Sequence, residues 1–462
     1  MVLAQEQKTQ LNEDQRRAKD NTLRFWNEGV RVVGVIGSAG TGKSFSATEI
    51  LKGLPGKTLC LAPTNTAVKQ LKNSVERSNI TAESMTNAKA LGLIPEKSGA
   101  GELEFKQREL GIDEENPLES ASTLWIDEGS MIDARIFDQI LSQTSAKRIL
   151  ITLDQWQLPP VGSKEIVALS LFGNYYSELL KTERYSQDDY IYQVIVRALS
   201  AVKSKEEGFS VREQFPNSRE GYNVLSKQET LYQMALRVLK MQHSGKWDSF
   251  RAVCWRNKEV FKLNQQIRQT VFGRHSIQTV LPGDLLVATG AVQRKEQKLV
   301  NGKVYENKVT IYPTSSYMVV NSAKTETVVD SDGKEWKIWK AQVFDPDEFP
   351  KTVREVQVID ELFRESYQQK ITKIKGQMYK EYGVSGKSPA WRTLLAKLQD
   401  LETIVDPIRH GYAITAHGSQ GMSVDSVFIN DSDIRCNKKD IEVRNRAYFV
   451  GCSRARNEIF VL

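Results

Sequence analysis

Cysteine and histidine are scarce in this sequence, with four of each among 462 residues. The histidines show no metal-ligand spacing, and the cysteines lie far apart without paired spacing, which favours reduced thiols over disulfides or a zinc site. No stretch approaches the roughly 18 consecutive apolar residues that a membrane-spanning helix requires. Residues 1–20 are polar and charged, unlike a signal peptide. These absences predict a cytoplasmic protein with no membrane partner.

The bulk composition is ordinary for a globular protein, with 40% hydrophobic and 26% charged residues. The length exceeds what one hydrophobic core supports, which predicts two or more domains. The formal net charge of +7 is compatible with a polyanionic partner. Because many proteins of this charge never contact nucleic acid, the charge alone does not identify such a partner.

A glycine-rich segment over residues 37–44, with the sequence GSAGTGKS, matches the phosphate-binding loop pattern. The β-branched residues 32–36 before it predict a buried parallel strand, and residues 45–52 after it predict a helix. Backbone N–H groups and the helix N-terminus would then face phosphate oxygens, with Lys43 at the β- and γ-phosphates and Ser44 at Mg²⁺. A glycine turn that contains lysine by chance explains this context poorly. The predicted nucleotide-binding residues are Gly37, Gly40, Thr41, Gly42, Lys43 and Ser44.

Apolar runs and helical patterns alternate in the first part of the chain, which predicts a mostly parallel α/β sheet. Further strands are predicted over residues 57–62, 122–127 and 148–154. Residues 85–121 break this rhythm, because two short strand-like runs flank a glycine-rich turn, and they predict an inserted β-hairpin. The first domain is predicted to cover residues 1–187.

A second α/β unit is predicted to start at residue 188. Its strand candidates are residues 250–255, 412–416, 426–430 and 458–462. Short alternating strands interrupt the unit, and a long polar helical pattern over residues 353–382 follows them. The second unit is therefore predicted to comprise residues 188–282 and 411–462, with a small β-barrel and a helical arm inserted over residues 283–410.

Two carboxylates, Asp127 and Glu128, follow the apolar residues 124–126. Phosphoryl transfer to water needs a carboxylate for the metal ion and a polar group for the attacking water. Asp127 would hold Mg²⁺ together with Ser44, and Glu128 would orient or deprotonate the water. A solvated acidic turn explains the pair equally well in isolation, but the phosphate loop favours the catalytic interpretation.

Three further polar side chains are candidates for contact with the γ-phosphate. Gln157 follows the predicted strand 148–154, at the edge where parallel sheets bind ligands. Arg184 and Arg454 would stabilise the charge on a phosphoryl group in transit, and an arginine from a second domain would report closure of the cleft. Composition alone does not distinguish these two arginines from ordinary surface charges. For Gln157, the alternative is that residues 154–161 are only a loop stiffened by prolines.

The order of the motifs is more specific than any one of them. Over about residues 10–462 it resembles the superfamily 1 helicases of the RecD-like branch, most closely the Dda-type phage helicases. Residues 11–15 are similar to the adenine-reading motif of this family, which implies that Gln15 is the reader. The other matching segments, in chain order, are residues 62–67, 127–131, 154–161, 257–267, 417–425 and 451–456.

The resemblance implies two RecA-like lobes with ATP between them and single-stranded DNA across both. Residues 62–67 look like the segment by which the first lobe grips single-stranded DNA, and residues 417–425 look like the fifth motif, which links DNA to the nucleotide. The implied DNA contacts are Pro63, Thr64 and Asn65 in the first lobe, and His417 and Ser419 in the second.

The resemblance also implies translocation from 5′ to 3′, with duplex DNA split at the hairpin over residues 85–121. Phe105 would meet the fork, although packing within a small hairpin explains an aromatic there as well. The insertion over residues 283–410 is similar to the family's SH3-like domain, whose arm docks on the hairpin. The implied partners are single-stranded and forked DNA and a single-strand-binding, replication or recombination protein. The protein is expected to be a monomer in the cytoplasm. If it is encoded by a phage, this would be the cytoplasm of the host.

The sequence departs from the family pattern at three places. Gly418 occupies the usual lysine position of the fifth motif, and Leu153 occupies the usual glycine position of the third. Residues 84–87 lack the family's Thr-x-His. These departures concern DNA contacts and leave the residues for hydrolysis unchanged.

A basic strip with aromatic residues covers residues 369–397. Lysines meeting phosphates and rings stacking on bases suit single-stranded nucleic acid, and Trp391 lies in a segment that resembles a DNA-proximal part of the family. Tyr379 and Tyr382 are interleaved with the charges. A solvated charged arm with buried rings accounts for the same pattern equally well.

Together these features predict a DNA-dependent ATPase that moves along single-stranded DNA and unwinds duplex. A translocase that displaces bound proteins with little unwinding is the main alternative. A nucleotide-gated binding module without motor activity, and a phosphate-loop kinase, are weaker alternatives.

Overall fold

The chain folds into two α/β lobes with parallel sheets, and an antiparallel sheet is inserted in the second lobe. The two α/β lobes with parallel sheets and the β-sheet insertion expected from the sequence are confirmed. No helix in the described part of the chain is long and apolar enough to cross a membrane. The computed structural model describes residues 10–97, 103–107, 116–160, 162–163, 165–290, 292–300, 303–311, 316–346 and 352–462. Val161, the last residue of the motif segment 154–161, lies outside these ranges.

The first lobe is built on a six-stranded parallel sheet that lies between helices. Its strands and those of its hairpin are β1 (Val32–Gly37), β2 (Thr58–Ala62), β3 (Ala82–Thr86), β4 (Leu93–Lys97), β5 (Leu103–Gln107), β6 (Thr123–Ile126), β7 (Arg148–Leu153) and β8 (Tyr176–Leu179). Its helices are α1 (Glu13–Asn27), α2 (Lys43–Leu51), α3 (Asn65–Arg77), α4 (Asn87–Ala90), α5 (Pro117–Ser120), α6 (Ala134–Gln143) and α7 (Ala168–Phe172). The strand order β3-β2-β6-β7-β1-β8 brings the carboxyl ends of β1, β2, β6 and β7 to one edge, where parallel sheets bind ligands.

The inserted hairpin is narrower than the segment 85–121 predicted from the sequence. Strands β4 and β5 pair antiparallel from Leu93 and Gln107 to Lys97 and Leu103. By contrast, β3 pairs parallel to β2 at the edge of the main sheet, and Met85 is buried in the lobe's core. The sequence pattern of β3 is weak because Met85 is its only large apolar residue.

The second lobe begins with α8 (Tyr190–Lys203), α9 (Val211–Gln214), β9 (Tyr222–Val224), α10 (Lys227–Ser244), β10 (Phe250–Cys254) and α11 (Asn257–Phe272). The inserted domain follows with β11 (Leu285–Ala288), β12 (Val292–Val300), β13 (Lys303–Ile311), β14 (Ser316–Val319), β15 (Lys324–Val329), β16 (Glu335–Phe344), β17 (Val353–Ile359), α12 (Glu361–Ser385), α13 (Pro389–Ile404) and β18 (Ile408–His410). The chain returns to the second lobe with β19 (Ala413–Thr415), β20 (Val424–Ile429), α14 (Asp431–Arg435), α15 (Ile441–Cys452) and β21 (Ala455–Val461). The lobe's sheet has the order β19-β10-β20-β21-β9 and is parallel throughout.

The predicted long helix over residues 353–382 is wrong at its start. Residues 353–359 form β17, which pairs antiparallel with β16 along its whole length. Val356 and Val358 are buried while Gln357 between them is partly exposed. This alternation of β-branched and polar residues suits a strand with one buried face. The arm helix α12 starts only after Asp360, which caps it by accepting from the Leu362 N–H.

A buried ion pair connects the inserted domain to the second lobe. The Arg268 guanidinium on α11 donates to the Asp284 carboxylate from Nε at 3.1 Å and from Nη2 at 3.0 Å. Tyr412 Oη donates to the same carboxylate at 2.9 Å, and the Leu281 N–H donates to it at 2.8 Å. Because Asp284 is fully buried and several donors serve it, this network holds the start and end of the insertion on α11.

Candidate nucleotide site between the lobes

The phosphate loop joins β1 to α2, as its sequence predicts. Gly40 and Gly42 have φ values of +87° and +82°, a region that side chains with a Cβ rarely adopt. A Cβ on Gly42 would lie 2.5 Å from Gln15 Nε2, and a Cβ on Gly40 would lie 2.8 Å from Arg184 Cβ. These glycines therefore permit both the curl of the loop and the close approach of the elements around it.

Lys43 opens α2, so its side chain and the helix N-terminus serve the same concave loop. Its Nζ donates to the Gly37 carbonyl at 2.8 Å and to the Ser38 carbonyl at 3.1 Å. Ser44 lies in the first turn of α2, and Thr41 Oγ1 donates to the Ser38 carbonyl at 2.9 Å. The ammonium thus lies inside the loop, where the phosphates of a nucleotide would be cradled.

Gln15 ties the first helix to this loop. Its Nε2 donates to the Thr41 carbonyl at 3.2 Å, and its Oε1 accepts from the Asn12 N–H at 3.1 Å in a capping box. Gln15 is only 3% exposed. The structure therefore brings Gln15 to the phosphate loop, and its adenine-reading role stays a prediction.

Asp127 lies at the carboxyl end of β6 and is held by the neighbouring strand. Its Oδ1 accepts from Thr152 Oγ1 at 2.5 Å, and Thr152 Oγ1 accepts from Trp125 Nε1 at 2.9 Å. Burial, and then the negative charge of Glu128, raise the pKa of Asp127 from 3.8 to about 6. The site therefore favours a positive charge beside Asp127, which is what a metal ion would supply.

Glu128 has a left-handed backbone with φ of +51°, an uncommon conformation for a residue of this type. Its Oε2 is buried and has no hydrogen-bond partner among the described residues.

Asp154 at the end of β7 is fully buried, and burial raises its pKa. The Oδ1 of Asp154 accepts from the Trp156 N–H at 3.0 Å, whereas Oδ2 lacks a partner in the described part of the chain. Two buried carboxylate oxygens are thus left for ligands.

The second lobe contributes Arg454 to the same electrostatic cluster. Its guanidinium is 5% exposed and donates to the Val450 carbonyl at 3.0 Å, the Met422 carbonyl at 3.2 Å and Ser453 Oγ at 2.8 Å. Burial lowers its pKa, while the negative charges of Glu128 and Asp154 of the first lobe favour its charged form.

Arg184 and Gln157 take part in contacts between the lobes. Arg184 Nη1 donates to the Ser453 carbonyl at 3.1 Å, which places it beside Arg454. Gln157 is 1% exposed, and Gln420 Nε2 of the second lobe lies 3.4 Å from its Oε1. The other residues predicted for hydrolysis lie around one cleft, whereas the Gln157 side chain is buried against Gln420 of the second lobe. Sequence reasoning did not assign roles to Asp154 and Thr152, although their place at the carboxyl end of β7 was a usable signal.

The arrangement fits ATP with Mg²⁺. The glycine loop and Lys43 suit the phosphates. The Glu128 and Asp154 oxygens that have no partner among the described residues suit a hydrated cation or an attacking water. Among the described residues no group of three or more histidine, cysteine, aspartate or glutamate side chains forms a metal site by itself. Ser44 and Asp127 stay the predicted ligands of Mg²⁺.

The candidate DNA contacts lie where the two lobes approach each other. Thr64 Oγ1 caps α3 by accepting from the Ala67 N–H at 3.2 Å, and Pro63 and Asn65 beside it are half-buried. The half-buried His417 ring lies 5.6 Å from that of Trp255, and burial lowers its pKa. These positions stay candidates for DNA contact.

Two of the predicted DNA contacts are buried in the structure. Ser419 is 1% exposed and its hydroxyl donates to the Ala416 carbonyl at 2.7 Å. Trp391 is 3% exposed and packs in the core between α12 and α13, so its ring offers no face to a base. At Trp391 the structure agrees with the alternative explanation of residues 369–397, a charged arm whose rings are buried. Tyr379 and Tyr382 of the same arm are exposed. The Phe105 side chain lies outside the described part of the structure.

Replacing Asp127 with asparagine is expected to raise the melting temperature of the nucleotide-free protein by a few degrees at pH 7.5. A carboxyl whose pKa is raised by folding binds more protons in the folded state, so its contribution to the free energy of unfolding falls as pH rises from about 4 to about 6. The neutral amide avoids that loss, worth on the order of 2 kcal/mol. Thermal unfolding of both proteins at pH 7.5 and pH 5 tests this. A difference that does not shrink at pH 5 would contradict it.

No curated protein matches the sequence. The fold is similar to that of Pif1 helicase from Bacteroides in complex with ADP-AlF3 and ssDNA, with TM-score 0.46 and 15% identity over 98% of this chain and 92% of that chain. It is also similar to Pif1 helicase from Candida albicans, with TM-score 0.43 and 16% identity over 98% and 94% of the two chains.

Residues 10–205 match the family model of the AAA domain. The matched range contains the phosphate loop, Asp127, Glu128, Gln157 and Arg184. This match agrees with the phosphate loop of the first lobe and with the resemblance to superfamily 1 helicases that the motifs carry.

Proposed function

We propose that this chain is an ATP-dependent DNA helicase that moves from 5′ to 3′ on single-stranded DNA and unwinds duplex. The observation that carries the proposal is a cleft shared by both lobes, in which Arg184 lies against Gly40 of the phosphate loop and donates to the Ser453 carbonyl, next to Arg454 of the second lobe. A cleft divided between two lobes links ATP turnover to their relative movement, which a motor requires. The direction of movement follows from the family resemblance.

In this proposal the chain's own groups have separate roles in hydrolysis. Lys43 and the loop N–H groups hold the phosphates, with Gln15 at the adenine. Glu128 orients or deprotonates the attacking water, and its buried Oε2, which has no partner in the described part of the chain, supports this role. Arg184 and Arg454 stabilise the charge of the transferring phosphoryl group, and Gln157 senses its departure. Mg²⁺, held by Ser44 and Asp127, would neutralise charge on the β- and γ-phosphates.

DNA is proposed to lie across both lobes. A Cβ on Gly421 would be 3.6 Å from Ala67 Cβ, so the segment after His417 touches the segment after Thr64 and any lobe movement shifts one past the other. Duplex would be parted at the hairpin of β4 and β5. We propose a monomer in the cytoplasm that works with single-strand-binding, replication or recombination proteins.

The decisive experiment measures steady-state ATP turnover with and without a single-stranded oligonucleotide, and unwinding of forked duplexes with a 5′ or a 3′ tail. Strong stimulation with unwinding only from the 5′ tail is expected. Stimulation without unwinding would favour a translocase that displaces bound proteins. Turnover that does not respond to DNA would overturn the proposal of a DNA motor.

A further inference from the structure

The loop that follows β7 in the first lobe is held by a side chain of the second. Arg446 on α15 donates from Nη1 to the Gln155 carbonyl at 2.7 Å and to the Gln157 carbonyl at 2.7 Å. Both acceptors are backbone atoms of the segment that carries Asp154 and Gln157. The contact therefore fixes the course of the main chain at the cleft, whatever side chains the loop presents.

The orientation of the Arg446 side chain is set by Glu442. Glu442, one turn earlier on α15, accepts from Arg446 Nε at 3.2 Å and from Nη2 at 2.9 Å. The Arg446 side chain is only 13% exposed, so these bonds are weakly screened by solvent. Lys205 lies 3.4 Å from the second oxygen of Glu442. With one edge held by Glu442, the planar guanidinium presents its remaining N–H groups to the loop in a fixed direction.

Two further contacts dock the same loop on the second lobe. Gln420 Nε2 donates to the Leu158 carbonyl at 3.0 Å. The Trp156 ring packs against the core cluster of the second lobe, and Lys203 Nζ lies 5.2 Å from its centroid. Residues 155–158 of the first lobe are thus attached to the second lobe by backbone and side-chain contacts.

We infer that Arg446 is a positioning residue that couples movement of the second lobe to the placement of Asp154 and Gln157 in the nucleotide cleft. The inference rests on the proposed function. When DNA moves the second lobe, α15 shifts, and Arg446 draws the loop with it by its two carbonyl bonds. Asp154, which follows β7 directly, and Gln157 are thereby set for hydrolysis. Arg446 touches neither nucleotide nor DNA in this role.

The test compares Arg446→Gln and Arg446→Lys with the wild type. The ratio of ATP turnover with saturating single-stranded DNA to turnover without DNA is measured at saturating ATP. We expect this ratio to fall about tenfold in Arg446→Gln, the usual size of a coupling between two sites. Arg446→Lys, which keeps the charge but lacks the planar fork, is expected to restore only part of the ratio. The affinity for DNA should change little.

Arg435→Gln serves as the matched control, because Arg435 lies on the same lobe and pairs with Glu213 of that lobe. Its ratio should equal that of the wild type. Hydrogen exchange provides a readout independent of activity: peptides covering residues 154–160 should exchange faster in Arg446→Gln and not in the control. Melting temperatures identify any variant that has lost its fold, and Arg446→Lys then carries the test.

The outcomes separate this inference from the proposed function. A wild-type protein whose turnover ignores DNA would overturn the proposed function. Stimulated wild-type turnover with an unchanged ratio in a folded Arg446→Gln would overturn the inference alone. Unchanged exchange at residues 154–160 in that variant would overturn it as well.

Discussion

Replacing Lys43 with alanine is expected to lower DNA-stimulated ATP turnover by about a thousandfold. The Lys43 ammonium is the only cation that the phosphate loop itself supplies, and it already lies against the Gly37 and Ser38 carbonyls inside the loop. Loss of one preorganised charged donor to a developing negative charge typically costs a factor of about 10²–10³. Binding of single-stranded DNA should remain close to that of the wild type, because the candidate DNA contacts lie elsewhere.

The measurement is steady-state turnover at saturating DNA, with DNA affinity determined separately by fluorescence anisotropy. Lys52→Ala is the matched control, since Lys52 follows the same helix and forms an exposed ion pair with Glu49. Its turnover should be unchanged, because such surface pairs contribute about 1 kcal/mol or less to stability. Normal turnover in Lys43→Ala would show that the phosphate loop is not the hydrolytic site.

Replacing Arg454 with lysine is expected to lower the maximal turnover by about a thousandfold or more, while nucleotide affinity falls far less. An arginine that stabilises a transferring phosphoryl group contributes about 10³–10⁵ in rate. A lysine retains the charge but lacks the planar group that contacts the Val450 and Met422 carbonyls, so its ammonium would not reproduce the position of the guanidinium beside Glu128 and Asp154.

Turnover and nucleotide binding should be measured on the same preparation, together with the melting temperature, because Arg454 is buried. Arg456→Lys is the control: Arg456 pairs with Asp248 at 2.6 Å and with Asp425 at 3.1 Å, and it is more exposed than Arg454. The control should retain most of its turnover. If Arg454→Lys folds and turns over ATP normally, Arg454 has no part in the chemistry and the cleft is not shared between the lobes.

The sequence was sufficient to predict the parts of the site whose chemistry depends on neighbours in the chain. The phosphate loop requires glycines at fixed spacing between a strand and a helix, and both elements lie as predicted. Asp127 and Glu128 follow a short buried strand, also as predicted. These patterns are local, since the backbone course of a few residues determines where each side chain points.

Sequence reasoning failed where local patterns were ambiguous. The start of the predicted helix at residue 353 is a strand, because pairing with β16 outweighs the helical tendency of the polar residues around it. Trp391 and Ser419 matched DNA-contacting segments, yet both side chains are buried. A motif match places a residue in a segment, whereas its exposure depends on elements that pack over it from elsewhere.

By itself, the sequence determined the α/β class of the first lobe and the order of strands and helices around the phosphate loop, and it predicted candidate residues for hydrolysis. Only the tertiary structure decided which distant side chains share the cleft. Asp154 and Arg454 belong to different lobes, and Arg446 reaches the loop that carries Gln157. The reason is physical: burial, charge interaction and hydrogen bonding depend on distance in space, and residues hundreds of positions apart become neighbours only when both lobes have folded and met.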